Sequence, residues 1–108
     1  MPRITTHAIP LDIVKRASKP MVDELVALLG VPREHFAIEV CEHPFVLDGD
    51  VAATHPFVEV ALFDRGSKAE DGLARIITRH LREAGCASLD LYLLRMERHR
   101  YYENGEPF

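Results

Sequence analysis

The fold of this chain can be read from one stretch, Phe57-Val58-Glu59-Val60-Ala61-Leu62-Phe63. Its β-branched and aromatic residues favour an extended strand in which alternate side chains share one face. After this strand the apolar residues change to a helical spacing, at Ala69, Leu73, Ile76, Ile77, Leu81 and Ala84. Alternation returns from Leu89 to Leu93 and predicts a second strand. Residues 57–93 therefore predict a strand–helix–strand unit.

The limits of this helix are indicated by its flanking residues. Ser67 and Glu70 match the S-x-x-E pattern of a capping box, in which each side chain accepts a hydrogen bond from the other residue's backbone N–H. Gly85 is a residue type that commonly ends helices. We therefore expect the helix to begin at Ser67 and to end at Gly85.

The first half of the chain repeats this plan. Residues 3–9 predict a strand, a helical stretch opens at Pro10 and ends at Gly30, and residues 35–42 predict another strand. Pro20 falls inside the helical stretch. Because proline lacks a backbone N–H and clashes with the preceding turn, we expect it to kink or split that helix.

Two strand–helix–strand units predict an α+β fold of one domain, residues 1–108, with a short hairpin at Asp48-Gly49. Because such crossovers are right-handed, both helices should lie on one face of a four-stranded mixed sheet. The other face would carry Thr5, His7, Ala37, Glu39, Cys41, Ala61, Phe63 and Tyr92. This mixture favours burial against other subunits, while a solvated sheet face is the alternative.

Composition excludes several classes of function. The 108 residues carry a net charge of −4, so no basic surplus exists to neutralise nucleic-acid phosphates or to bind an anionic membrane. The sequence shows no apolar run of transmembrane length and no signal-segment pattern, so we expect a cytoplasmic protein. Cys41 and Cys86 are then better interpreted as small buried side chains than as a disulfide.

The beginning of the chain is the first candidate for chemistry. Met1-Pro2 leads directly into the first predicted strand. If Met1 is removed, Pro2 carries a secondary amine, and a primary α-amino group has a reference pKa of about 8. Burial or a nearby cation lowers such a pKa, and a lowered value suits a general base that works near neutrality.

Three segments carry a resemblance to a known family. They are Met1-Pro2, the stretch from Pro56 through Phe63-Asp64-Arg65-Gly66, and the tail from Tyr101 to Phe108. The chain resembles the tautomerase superfamily, which includes macrophage migration inhibitory factor and 4-oxalocrotonate tautomerase. It is more closely similar to a bacterial family of that fold whose function is unknown, and the resemblance extends over essentially the whole chain.

This resemblance implies a homotrimer and a reaction that needs neither a metal nor an organic cofactor. It implies that Pro2 is a general base, or a nucleophile, acting on a small keto or unsaturated carboxylic acid. Arg65 is expected to bind a substrate carboxylate and to stabilise an enolate, unless it is only a loop arginine paired with Asp64 or Glu70.

The aromatic tail and the remaining polar residues complete the candidates. Tyr101, Tyr102 and Phe108 are expected either to pack on a neighbouring subunit or to line the pocket, with Tyr101 and Phe108 reaching the site. Glu39 and Glu59 are expected to be paired or solvated strand charges, and a role as pocket acids is the alternative. The six histidines show no metal-binding spacing, so no metal is expected.

Two functions from different classes follow. The first is a cofactor-independent tautomerase or isomerase with Pro2 as its base. The second is a non-catalytic trimeric module of the same fold that binds a small ligand or acts as a scaffold. A ferredoxin-like dimer with the same strand order is a third possibility, which the oligomeric state would distinguish from a trimer.

Overall fold

The two predicted units form one mixed sheet with two helices. The computed structural model describes residues 2–108. In chain order, the elements are β1 (Arg3–His7), α1 (Leu11–Leu29), β2 (Ala37–Cys41), β3 (Phe45–Leu47), β4 (Asp50–Ala52), β5 (Phe57–Phe63), α2 (Ser67–Glu83), β6 (Asp90–Met96), β7 (Tyr102–Glu103) and β8 (Glu106–Pro107). Short 3₁₀ turns at Arg33–His35 and Arg98–Arg100 precede β2 and β7.

The sheet has the strand order β2-β1-β5-β6. β1 pairs in parallel with β2, β5 pairs in parallel with β6, and the central pair β1 and β5 is antiparallel. Arg3 lies opposite Ala61, and Phe63 lies opposite Met96. The start of β1 and the ends of β5 and β6 therefore meet at one edge of the sheet. This architecture confirms the predicted α+β fold with a four-stranded mixed sheet, two helices and a hairpin.

The core lies between the sheet and the two helices. Alternate strand residues on this side are fully buried, among them Ile4, Thr6, Val58, Val60 and Leu62, and they pack against buried residues of α1 and α2. Each fully buried aliphatic side chain of this kind contributes about 1.5–3 kcal/mol relative to an exposed one. Thr6 is the polar member, and its hydroxyl donates a hydrogen bond to the carbonyl of Glu39.

Helix α1 runs without interruption through Pro20. The expectation that Pro20 would split the helix is therefore wrong. Pro20 is exposed, so the carbonyl group that loses its helical partner can be hydrated, while neighbouring Ala17 and Met21 stay buried in the core. Gly30 ends the helix as predicted, in the left-handed conformation. No helix within residues 2–108 has the length and apolar character needed to cross a membrane.

The start of α2 differs from the predicted capping box. Ser67 is already helical, the cap position is Gly66, and no side chain caps the helix. Glu70 instead forms a bidentate ion pair with Arg95 on β6, at 2.9 and 3.1 Å. The capping box is therefore wrong, because a guanidinium from the adjacent strand is a stronger partner for this carboxylate than a backbone N–H.

Both short hairpins use two-residue turns with positive φ. β3 and β4 are joined through Asp48 (φ 54°) and Gly49 (φ 80°), which confirms the predicted hairpin. β7 and β8 are joined through Asn104 (φ 51°) and Gly105 (φ 82°). The second hairpin was not predicted, although Asn-Gly is the same type of turn signal.

A charged cluster connects the two helices on their partly exposed side. The carboxylate of Glu24 on α1 forms hydrogen bonds with two residues of α2. One is with Nε2 of His80, and the other is donated by Arg79 at 2.5 Å. His80 itself is only 8% exposed. The hydrogen bond from His80, followed by that from Arg79, holds the pKa of Glu24 below its usual value.

This cluster predicts a loss of stability in acid. A carboxylate with a depressed folded-state pKa stabilises the fold above its unfolded pKa, and this contribution is lost as the pH falls through the folded value. We expect Glu24→Gln to reduce the difference in the free energy of unfolding between neutral and acidic pH, measured by urea titration. Glu34→Gln, at an exposed glutamate, serves as the control and should keep the wild-type pH dependence. Equal acid dependence in Glu24→Gln and wild type would contradict the prediction.

Candidate functional site

Pro2 lies at the edge where β1 begins and is less than 2% exposed. Its carbonyl accepts a hydrogen bond from the N–H of Ala37 at 3.3 Å, which fixes it against the start of β2. The predicted removal of Met1 concerns a residue outside the described range, so it stays a prediction. Burial and this hydrogen bond therefore hold Pro2 beside the start of β2.

A small cavity of about 190 Å³ opens at this edge. It is lined by Pro2, Arg3, His35, Ala37, Met96 and Tyr101. These residues come from the start of β1, the turn before β2, the end of β6 and the tail. Such a volume corresponds to roughly six water molecules at about 30 Å³ each. It is therefore suited to an organic acid of a few carbon atoms.

Two larger recesses lie beside this cavity and share lining residues with it. One, of about 410 Å³, is lined by Arg95, Met96, Glu97, Arg100 and Tyr101. The other, of about 450 Å³, is lined by Phe63, Asp64, Arg95, Met96, Glu97 and Arg98. Met96 borders all three spaces, and we refer to them together as the groove at the end of β6.

The charges along this groove are only partly compensated. Arg95 is paired with Glu70 and lies 3.7 Å from Asp64, and the hydrogen bonds that Arg95 donates to Glu70 raise the pKa of Arg95 above its usual value. Among residues 2–108, no carboxylate forms an ion pair with Arg3 or Arg100. The groove therefore carries positive charge that favours an anionic ligand.

Arg65 is placed differently from Arg3. Its Nη1 donates to the carbonyl of Leu29 at the end of α1, at 3.1 Å. It does not line the cavity at Pro2, and neither Asp64 nor Glu70 pairs with it. The structure therefore does not bring Arg65 and Pro2 into one cavity within this chain.

The three tail residues occupy different positions. Tyr101 is half-buried and lines the cavity with Pro2. Phe108 lies one layer behind it, with the two ring centroids 5.2 Å apart. Tyr102 is 60% exposed and lines none of the three spaces. The tail thus folds onto its own chain and brings one tyrosine to the cavity.

Sequence reasoning missed His35, Met96 and Arg98 as residues of this region. His35 lies before β2 and belongs to no recognisable motif. Met96 has the sequence pattern of an ordinary strand end. Arg98 belongs to a basic run, Arg98-His99-Arg100, directly before the aromatic tail, and this run was the available signal. Arg3 lines the same cavity, although strand alternation directs the side chains of adjacent residues to opposite faces.

A second group of side chains lies at the far end of the helix-free sheet face. The rings of His7 and Phe57 stack at 4.3 Å, and Phe57 stacks on Tyr92 at 6.2 Å. The Tyr92 hydroxyl donates to Glu59 at 2.7 Å, and this bond raises the pKa of Tyr92. Glu59 is therefore a paired strand charge. Within residues 2–108, no three His, Cys, Asp or Glu side chains are grouped so that they could hold a metal ion.

Comparison with known proteins gives the family. A family model described as Domain of unknown function (DUF1904) matches residues 1–107. A solved DUF1904 structure from Sebaldella termitidis ATCC 33386 is 28% identical, covers 100% of both chains and has a TM-score of 0.87. A protein of unknown function from Vibrio cholerae O1 biovar eltor str. N16961 is 27% identical over 99% of this chain and 87% of that chain, with a TM-score of 0.86. Among proteins with curated functions, none matches this chain.

The fold is shared more widely. A macrophage migration inhibitory factor-like protein from Entamoeba histolytica is 16% identical over 99% of this chain and 98% of that chain, with a TM-score of 0.68. At that identity the likeness concerns the fold alone, and it confirms the resemblance inferred from the residues. The chain therefore belongs to the DUF1904 family and has the fold of the tautomerase superfamily.

Proposed function

We propose that this protein is a cofactor-independent tautomerase or isomerase that acts on a small keto or unsaturated carboxylic acid, with Pro2 as general base. The observation that carries the proposal is the position of Pro2 in the wall of a cavity of about 190 Å³, beside Arg3 and Tyr101. The shared fold supports the same class of reaction but does not identify the substrate.

The chemistry depends on a free Pro2 nitrogen. Burial and the positive charge of Arg3 both favour the uncharged form of an amine at this position. An uncharged secondary amine takes a proton from the carbon next to the substrate carbonyl and returns it to another atom of the resulting enolate. No redox step or external group is required, because the proton is only moved within the substrate.

The other cavity residues suit the charges that develop. Arg3, with Arg100 farther along the groove, supplies positive charge for the substrate carboxylate. Tyr101 can donate its hydroxyl proton in a hydrogen bond to the enolate oxygen. Phe108 supports Tyr101 from behind, and Arg65 remains a candidate for carboxylate binding whose geometry favours a structural contact.

We also propose that the protein forms a homo-oligomer, with a trimer as the expected state. The β3–β4 hairpin exposes three aliphatic side chains, Val46, Leu47 and Val51, by 66–72%. Leu94 is exposed on the helix-free sheet face. A fused 4-OT of this fold, 14% identical with a TM-score of 0.73, is described as an asymmetric trimer. Association through these surfaces would cover apolar area that a monomer leaves in water.

Three forms of the N-terminus test the role of Pro2. The native protein is first weighed by mass spectrometry, and we expect Met1 to be absent. Ketonisation of phenylenolpyruvate should then be at least tenfold slower in Pro2→Ala, whose primary amine is less well placed as a base. A chain extended by two residues before Pro2 should be inactive, because its nitrogen is an amide. Pro20→Ala, at an exposed proline of α1, is the matched control and should keep the wild-type rate.

The outcomes separate the two functions. Intact Met1 in the native protein, or equal rates in wild type and the extended chain, would exclude the proline base and leave the binding or scaffold role.

A second assay uses 2-oxo-3-pentynoate, the compound that inactivated Pt0534, a protein of the same fold. We expect it to add to the Pro2 amine and to increase the mass of the N-terminal peptide by one reagent molecule.

Arg3 and Arg65 can be distinguished by what each substitution changes. We expect Arg3→Ala to raise KM severalfold, because it removes positive charge from the cavity. We expect Arg65→Ala to leave KM unchanged and to lower the free energy of unfolding by about 0.5–1.5 kcal/mol, the value of one hydrogen bond to a helix-end carbonyl. The reverse pattern would assign the substrate carboxylate to Arg65.

A further inference from the structure

Three aromatic rings form a closed cluster behind the candidate site. Tyr101 lies edge-on to Phe63 and to Phe108, with centroid distances of 5.3 and 5.2 Å. Phe63 and Phe108 are stacked on each other at 5.6 Å. Edge-to-face and offset-stacked pairs at these separations are attractive. Phe63 at the end of β5 and Phe108 therefore both pack against Tyr101, the tail residue that lines the Pro2 cavity.

Arg98 covers this cluster from a third side. Its guanidinium carbon is 4.8 Å from the centroid of Phe63 and 5.3 Å from that of Phe108, within the range of a cation–π interaction. Among residues 2–108, no carboxylate forms an ion pair with Arg98. Its charge is therefore compensated by the two ring faces rather than by an acid, and it does not line the cavity at Pro2.

Backbone hydrogen bonds also connect Arg98, Tyr101 and Phe108. The N–H of Tyr101 donates to the carbonyl of Arg98 at 3.1 Å, and the N–H of Phe108 donates to the carbonyl of Tyr101 at 3.0 Å. The β7–β8 hairpin between them turns the chain back so that Phe108 reaches Tyr101. Residues 98–108 thus form a loop that is tied at both ends to the residue in the cavity.

We propose that Arg98 and Phe108 are positioning residues that hold the Tyr101 hydroxyl at the Pro2 cavity, an inference that rests on the proposed function. A tyrosine in an exposed terminal segment would otherwise sample several rotamers and lose its geometry towards the substrate oxygen. The ring cluster restricts Tyr101 to one orientation before the substrate arrives. Arg98 acts through Phe63 and Phe108, because it does not line the cavity at Pro2 itself.

The test measures the alkylation of Pro2 by 2-oxo-3-pentynoate. The amine nitrogen forms a bond to the alkyne carbon farther from the ketone, the triple bond becomes a double bond, and the amine proton is transferred to the alkyne carbon next to the ketone, so the adduct contains the whole reagent. Negative charge develops on the ketone oxygen during the addition, where a donated hydrogen bond accelerates the step. The limiting rate and the half-saturating concentration are followed by mass spectrometry of the N-terminal peptide.

We expect Tyr101→Phe to lower the limiting rate about tenfold, a modest value for the loss of one oxyanion donor. Arg98→Ala and Phe108→Ala should lower the limiting rate to a similar extent with little change in half-saturation. Arg98→Lys keeps a cation over the rings and should restore most of the rate. His99→Ala, at an exposed residue of the same turn that lines none of the three spaces, is the matched control.

A double variant decides whether Arg98 acts through Tyr101. Arg98→Ala/Tyr101→Phe should be no slower than Tyr101→Phe alone, because the hydroxyl that Arg98 positions is already absent. The proposal would be overturned if the double variant lost the product of the two single-variant factors in limiting rate. It would also be overturned if Arg98→Ala kept the wild-type limiting rate.

A separate readout keeps the two proposals distinguishable. If wild-type Pro2 with a free amine is not alkylated, the proposed function fails. The positioning of Tyr101 is then judged by hydrogen exchange at the Phe108 amide. We expect faster exchange in Arg98→Ala and restored protection in Arg98→Lys. Unchanged exchange in Arg98→Ala would overturn the inference independently of any activity.

Discussion

The central position of β1 is the constraint on which the candidate site depends. β1 pairs with β2 on one side and with β5 on the other. A shift of its register by one residue would turn Ile4 and Thr6 away from the core, so burial of these side chains fixes the strand. The same register fixes Pro2, one step before the strand, between the start of β2 and the ends of β5 and β6. The hydrophobic core thus determines where an N-terminal amine would lie.

Competition for arginine side chains shapes the electrostatics at this edge. Arg95 is bound by a carboxylate of α2, Arg65 by a carbonyl at the end of α1, and Arg98 by two aromatic rings. Arg3 and Arg100 carry no such ion pair within residues 2–108 and face the groove. The positive charge available to a substrate is therefore set by which arginines have internal partners, and the number of arginines alone does not predict it.

Predictions from short sequence patterns were correct where the stabilising interactions are between neighbouring residues. The strand at 57–63, the stop at Gly30 and the turn at Asp48-Gly49 were all predicted, because strand alternation, a left-handed cap and a two-residue turn depend on neighbouring residues. The predicted capping box at Ser67 does not form, because Glu70 is paired with Arg95 on β6. The interruption at Pro20 failed because core packing on both sides of it outweighed one lost hydrogen bond.

The amino-acid sequence by itself determined the order of the elements and the doubled strand–helix–strand plan, since hydrophobic periodicity is a property of short segments. It also singled out Pro2 and the aromatic tail. Only the tertiary structure decided which residues meet at Pro2, because His35, Met96 and Tyr101 lie in segments far from Pro2 in the chain. Strand pairing joins the first two of these segments to Pro2, and packing of the tail on Phe63 adds the third.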